Sequence, residues 1–335
     1  MATTTGYKKL INDPFEAVDE ALEGFVGAHA ELVALVEPRV VARRRPAQNK
    51  VGVVVGGGSG HEPAFVGYVG LGIADAAACG NIFASPPPNV VLGAIHAANH
   101  GRGVIMGYGN YAGDVMNFGL AAQLAAAEGI DVREIRVSDD VASAPASEKA
   151  KRRGIAGDIV VFKCVGAAAE QGMSLADVER IAIKSNEATR SMGVALSPCE
   201  VPGAGRPTFE LPPDQIEIGM GVHGEPGIKR GPLQPADEVV AELVGAIVED
   251  MGDDRRGDVA LLVNGLGATA YLDQYIVYRA ARRGLESSGM RVVRSYVGEY
   301  ITSLEMAGVS VTVTTLDDEL TSLLDAPSAT VRFTV

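Results

Sequence analysis

Seven short strand-like runs, most followed by a helix-like stretch, limit what this chain can fold into. The runs predict strands over 50–55, 103–108, 132–137, 193–197, 259–264, 291–297 and 309–315. The intervening stretches predict helices. One opens with Asp13 as N-cap, Pro14 at the first helical position and Glu16 at the third, a capping-box pattern. Others follow Pro86–Pro88 to about Asn99, cover 114–128, begin after Ser174 with Asp177 three residues on, and cover 235–250, 272–288 and 317–324. Strands alternating with helices predict an α/β fold with largely parallel sheets. A length of 335 residues suggests about two domains. Five prolines and two glycines crowd the 19 residues from Ser197 to Gln215, the composition of a linker. The expected organisation is a domain over 1–197, a linker over 198–215 and a second domain over 216–335. Each is expected to be α/β, with a mixed or mostly parallel sheet flanked by helices.

A net charge of -13 argues against a partner held through nucleic-acid phosphates. Cys79, Cys164 and Cys199 lack the spacing of a zinc site or a disulfide framework and suit a reducing cytoplasm. The opening "MATTTGYKKLINDPFE" has no apolar core of a secretion signal, and no apolar run approaches the ~18 residues a membrane span needs.

The first chemically unusual segment is "VGVVVGGGSGHEP", Val51–Pro63. A phosphate loop needs a lysine after its last glycine, and a dinucleotide turn needs GxGxxG. Here His61 follows Gly60, so both nucleotide patterns fail. What remains is bare backbone over Gly58, Ser59 and Gly60 that ends in an imidazole. It fits either a tight turn with a surface histidine or a surface of N–H donors with one titratable group. The second segment, "EIGMGVHGEPGIKRG", sets His223 among glycines, and "SGHEP" and "HGEP" echo one another. His223 reads as an ordinary histidine or as an imidazole nucleophile for a carbonyl. In the third, "YGNYAGDVMNFGLAAQ", Asp114 is either a helix cap or a carboxylate at the C-terminal end of a strand, where α/β folds place ligands. His96 and His100 lie four apart on a predicted helix, but "HAANH" lacks the glutamate of a zinc-protease helix and reads as a solvated helix end.

Taken together, "KKLINDP", "GGGSGHEP", "IFASP", "NYAGDVMNFGLAA", "RRGIAGDIVVFKCVGAAAE", "GMGVHGEPGI", "LVNGLGAT", "TSLEMAGVSV" and "LDDELTSLLDAP" resemble the substrate-binding subunit of dihydroxyacetone kinases, the DhaK type. They run from Lys8 to Pro327. The resemblance implies a two-domain α/β subunit that forms homodimers in the cytoplasm. It implies that His223 bonds covalently to the ketone carbon of the substrate, that His61 hydrogen-bonds the substrate, and that Asp114 is the base for the hydroxyl being phosphorylated. Gly58–Gly60 would wrap the bound triose. It implies no cofactor or metal on this chain: ATP or ADP with magnesium would sit on a separate helical subunit of the DhaL type, recharged in some systems by a phosphotransferase-system protein of the DhaM type. The family commonly carries lysine where this chain has Gly109, and threonine where it has Ala112. Those departures leave dihydroxyacetone, erythrulose and apulose as substrates, with a non-catalytic ketose sensor as the alternative of another class.

Overall fold

The computed structural model describes residues 7–46, 48–252 and 257–335. The expectation of an amino terminus free of a leader falls partly on residues 1–6, outside the described residues. The chain forms two compact units, neither continuous in sequence. One comprises Glu16–Val137, Asp158–Glu187 and Asp318–Val335; the other comprises Met1–Phe15, Ser138–Gly157 and Ala188–Asp317.

The first unit holds α1 (Ala17–Ala28), β1 (Val33–Glu37), β2 (Val40–Arg43), β3 (Gly52–Ser59), β4 (Gly70–Leu71), β5 (Ala76–Ile82), α2 (Pro88–Ala98), β6 (Val104–Gly109), α3 (Ala112–Ala127) and β7 (Val132–Val137). α4 (Gly157–Glu170) and α5 (Leu175–Ala188) follow. Its sheet runs β1-β2-β5-β3-β6-β7. β5, β3, β6 and β7 are mutually parallel, and the β1–β2 hairpin adds antiparallel at the β5 edge. β3 is buried along its whole length, as a central parallel strand must be when helices cover both faces. Val54, Val91, Ile95, Met106, Tyr108 and Phe118 belong to one core cluster of this unit. On α5, Ser174 Oγ accepts the Asp177 N–H at 3.2 Å, as its sequence predicts.

The second unit holds β8 (Thr189–Ala195), β9 (Gln215–Ile218), β10 (Lys229–Pro232), α6 (Ala236–Met251), β11 (Gly257–Gly265), α7 (Tyr271–Ser287), β12 (Met290–Gly298) and β13 (Gly308–Leu316). The sheet order is β10-β9-β8-β13-β11-β12. Both sheets are therefore mixed, and this one is parallel only between β11 and β12. Leu243, Ile247, Ala281 and Leu285 of α6 and α7 pack with Leu261, Val263, Val311 and Val313 in its core. On alternate positions Thr189 pairs with Thr314 and Ser191 with Thr312 through their hydroxyls.

The division differs from the expected 1–197 and 216–335. The proline-rich 198–215 is internal to the second unit, and β8 belongs to that unit because it pairs with β13 and β9. α8 (Asp318–Asp325) returns to the first unit, where the buried Lys163 ammonium donates to the carbonyls of Leu323 and Ala326. β14 (Ala329–Thr330) then pairs with β4. Composition marks loops, but it does not record which strand a distant strand will pair with. The first helix also starts later than predicted. Asp13 Oδ1 accepts the Phe15 N–H at 2.8 Å, an Asx turn that delays the helix to Ala17.

Candidate functional site

Along the parallel strands of the first sheet the order is β5-β3-β6-β7. From β3 the chain moves to β5 on one side, then returns past β3 to β6 on the other. The direction of winding reverses between β3 and β6, and open α/β sheets bind ligands outside the carboxyl ends of strands at such a point. Gly58–His61 close β3, and Gly109 ends β6 with Asn110–Asp114 directly after it. The fold thus brings His61, the glycine run, Gly109 and Asp114 to one end of one sheet. His223 belongs to the other unit.

Close packing explains the glycine run. A Cβ on Gly57 would lie 2.5 Å from the Phe65 ring, and one on Gly58 would lie 2.7 Å from the Ala84 backbone nitrogen. Gly60 alone of the four adopts a left-handed conformation, with φ of +96°. Ser59 is held by its hydroxyl, which donates to the Gly80 carbonyl at 2.8 Å. His61 is only 3% exposed, and its ring stacks on Phe83 with centroids 4.8 Å apart and planes 22° apart. It is a buried, oriented imidazole, so the surface-histidine alternative does not hold.

Asp114 is not the cap of its helix. α3 begins at Ala112 with Tyr111 as N-cap, and Asp114 is the third helical residue, 8% exposed. Just past the strand, Asn110 N–H donates to the Val137 carbonyl and Tyr111 N–H to that of Gly109. The carboxylate still sits in the first turn, where the helix dipole favours negative charge. Tyr108, on the strand residue before Gly109, points into the core. Its ring lies 4.3 Å from Phe118, and its hydroxyl donates to Glu134 at 2.8 Å.

In the second unit, His223 lies on the loop between β9 and β10, its side chain 23% exposed. Its backbone N–H donates to Glu225 Oε2 at 3.0 Å, and its ring Nδ1 meets Glu225 Oε1 at 2.9 Å. Gly221 makes room for this carboxylate, since a Cβ there would lie 2.2 Å from Glu225 Oε2. Burial raises the Glu225 carboxyl, but the hydrogen bond and charge of His223, and then the Arg153 guanidinium 3.9 Å away, pull it down to about 2. Arg153 is anchored in turn by Asp140 at 2.7 Å and by the Gly219 carbonyl at 3.1 Å. Buried Ser303 donates to the carbonyl of Val222, fixing the residue before His223.

Sequence reasoning assigns no role to Glu225, Arg153, Ser303 or Phe83. One signal does reach two of these loops: the echo of "SGHEP" and "HGEP" is a shared turn. In each, a glutamate accepts the backbone N–H two residues upstream, Glu62 from Gly60 and Glu225 from His223. His96 and His100 do not form a pair. α2 ends at Ala98, and His96 Nε2 meets Glu128 at 2.6 Å. Among the described residues no group of three or more His, Cys, Asp or Glu is placed to hold a metal, and no helix is long and apolar enough to cross a membrane. Cys79, Cys164 and Cys199 are buried and form no disulfide.

Two α/β units with mixed sheets, a glycine-lined switch point and a loop histidine clamped by a glutamate define the class, a two-unit α/β protein with a candidate site. Residues 23–332 match the Dak1 domain model. The chain belongs to the Dak1 domain family. It is 45% identical to the dihydroxyacetone-binding subunit DhaK of a PTS-dependent dihydroxyacetone kinase of Listeria innocua, over 98% of this chain and 99% of that one. It is also 45% identical to an L-erythrulose 1-kinase of Mycolicibacterium smegmatis, covering 96% of this chain and 57% of that one, so it spans just over half of that kinase. Among solved structures, the dihydroxyacetone kinase of C. freundii superposes with a TM-score of 0.87 at 34% identity, over 98% of this chain and 60% of that one. A dihydroxyacetone kinase operon co-activator, DhaQ, superposes with a TM-score of 0.88 at 34% identity, over 96% of this chain and 98% of that one.

Proposed function

We propose that this chain is the substrate-binding subunit of a dihydroxyacetone-type kinase. It captures a short ketose as a hemiaminal on His223 and presents the terminal hydroxyl for phosphorylation by a nucleotide-carrying subunit. The observation that carries this reading is the contact of His223 Nδ1 with Glu225. A carboxylate only accepts, so Nδ1 carries the proton and the lone pair lies on Nε2. In the same reading His61, oriented by Phe83, hydrogen-bonds the substrate, Gly58–Gly60 cradle it, and Asp114 takes the proton of the reacting hydroxyl. Phosphoryl transfer depends mainly on positioning and charge stabilisation, which a covalent anchor supplies.

His61 follows Gly60 where a phosphate loop would carry lysine, and the C. freundii kinase solved with AMP-PNP and Mg2+ is matched over only 61% of its length. Both support a nucleotide and magnesium held by a partner of the DhaL type, with a DhaM-type phosphoryl donor as the alternative to free ATP. The assembly is read as a cytoplasmic complex around a homodimer of this chain. The test is intact-protein mass spectrometry with dihydroxyacetone, both erythrulose enantiomers and apulose, followed by turnover with an added nucleotide subunit. An adduct and product together support the kinase; no ketose-dependent mass increase overturns it. The likeness to DhaQ supports a second reading, a ketose sensor, which predicts an adduct and no product with any nucleotide subunit.

A further inference from the structure

We infer that Glu225 is a positioning residue that fixes the tautomer and the ring plane of His223, so that Nε2 alone is the nucleophile; this rests on the reading of His223 as the ketose-capturing residue. Both carboxylate oxygens of Glu225 are committed to one residue, Oε2 to the His223 backbone N–H at 3.0 Å and Oε1 to its ring Nδ1 at 2.9 Å. A bidentate grip of this kind couples the ring to its own backbone and restricts rotation about the side chain. The surrounding chain is built to admit it. Gly221 leaves the space that Glu225 Oε2 occupies. Gly224, between the two partners, adopts a φ of +83° and so bends the loop back on itself. Arg153, held by Asp140 and the Gly219 carbonyl, places its guanidinium 3.9 Å from Glu225 Oε2 and keeps the carboxylate ionised. An ionised carboxylate cannot donate, so the proton of the neutral ring stays on Nδ1.

In the covalent step the Nε2 lone pair forms the bond to the carbonyl carbon, and the C=O π pair moves to oxygen, which takes a proton from solvent. The ring becomes cationic with its proton still on Nδ1, and Glu225 stabilises that charge. The hemiaminal has gained the whole ketose, its oxygen has taken one proton from solvent, and the imidazolium is neutralised by the Glu225 carboxylate. The carboxylate helps both before the step, by tautomer, and during it, by charge, as second-layer carboxylates do for other reactive histidines.

The decisive measurement is the tautomer itself. In protein carrying 15N in its histidine rings, long-range proton–nitrogen correlation spectra report which nitrogen bears hydrogen. The His223→Ala variant identifies the His223 signals among the five histidines. With no ketose present, the neutral ring is expected as the Nδ1–H form. Glu225→Gln, whose amide can donate as well as accept, is expected to lose that preference and to slow adduct formation by on the order of tenfold or more. Glu225→Asp is expected to recover part of the rate. A wild-type His223 found mainly as the Nε2–H form overturns the inference without any variant having to fold. So does a folded Glu225→Gln protein with unchanged tautomer and an adduct rate within twofold of wild type. Failure of the kinase reading looks different: the Nδ1–H tautomer is present and no ketose adds mass.

Discussion

The Glu225 carboxylate holds His223 twice, at its backbone N–H (3.0 Å) and at its ring Nδ1 (2.9 Å). The pairing has a signature in stability against pH. The folded-state pKa of Glu225, about 2, lies below the ordinary glutamate value near 4.3. A depressed carboxyl stabilises the fold above its unfolded pKa, and that contribution is lost as pH falls through the folded one. The stability difference between the wild type and Glu225→Gln should therefore shrink as pH falls from about 4.3 to 2. Urea unfolding of both proteins across that window measures it; a difference that grows in acid would contradict the assignment.

His223→Ala should abolish the ketose-dependent mass increase without unfolding the protein, at a stability cost limited to the lost Nδ1–Glu225 contact. The side chain is partly exposed on a loop and fills no core. Intact-mass spectra and calorimetry on the same sample check both halves.

Asp114→Asn should retain the adduct and lose about 10²-fold or more in turnover with saturating nucleotide subunit. Since Asp114 is the third residue of α3 and not its cap, the stability cost should stay within about 1 kcal/mol, the scale of a helix-dipole charge. Turnover near wild type would return Asp114 to a purely electrostatic role at the helix end.

Gly58→Ala should destabilise the glycine-loop unit by roughly 1–3 kcal/mol, because the new methyl meets backbone at Ala84 and Phe83 and neither can swing aside. Gly101→Ala serves as control: nothing lies within 4 Å of its Cβ, and only its φ of +85° opposes the change. Denaturant midpoints for the two variants separate crowding from backbone strain.

Gly109 should set substrate size. Tyr108 is committed to Phe118 and Glu134, which leaves the Tyr111 ring as the side chain that would fill the gap under the alternative of a small pocket. Four-carbon ketoses should be turned over at least as well as dihydroxyacetone, and Gly109→Lys should shift preference toward the triose. Specificity constants for dihydroxyacetone and both erythrulose enantiomers decide it. A strong preference of the unmodified protein for the triose would count against the inference.

Much of this molecule is legible in its amino-acid sequence. The runs read at 103–108, 259–264 and 309–315 fall in β6, β11 and β13, because buried central strands need continuous branched and apolar side chains, and 132–137 is the partly exposed edge strand β7. Ser174 and Asp177 fix the start of α5 through contacts three residues apart. The segments around His61, Asp114 and His223 stand out only together, through the family resemblance they carry, because glycine and aspartate at strand ends are also ordinary turn and cap residues. Other elements leave weak signals. The alanine-rich β5 lacks branched residues over most of its length, and β1 and β2 are short edge strands, with β2 pairing to a β5 that lies far along the chain. Only the tertiary structure decided that β8 and residues 198–215 belong with β13, that the last eighteen residues return to the first unit, and that Phe83 and Glu225 orient the two histidines. Local sequence determines which backbone a segment prefers. Which distant strand completes its hydrogen bonds, and which carboxylate reaches an imidazole, is settled by packing the whole chain at once.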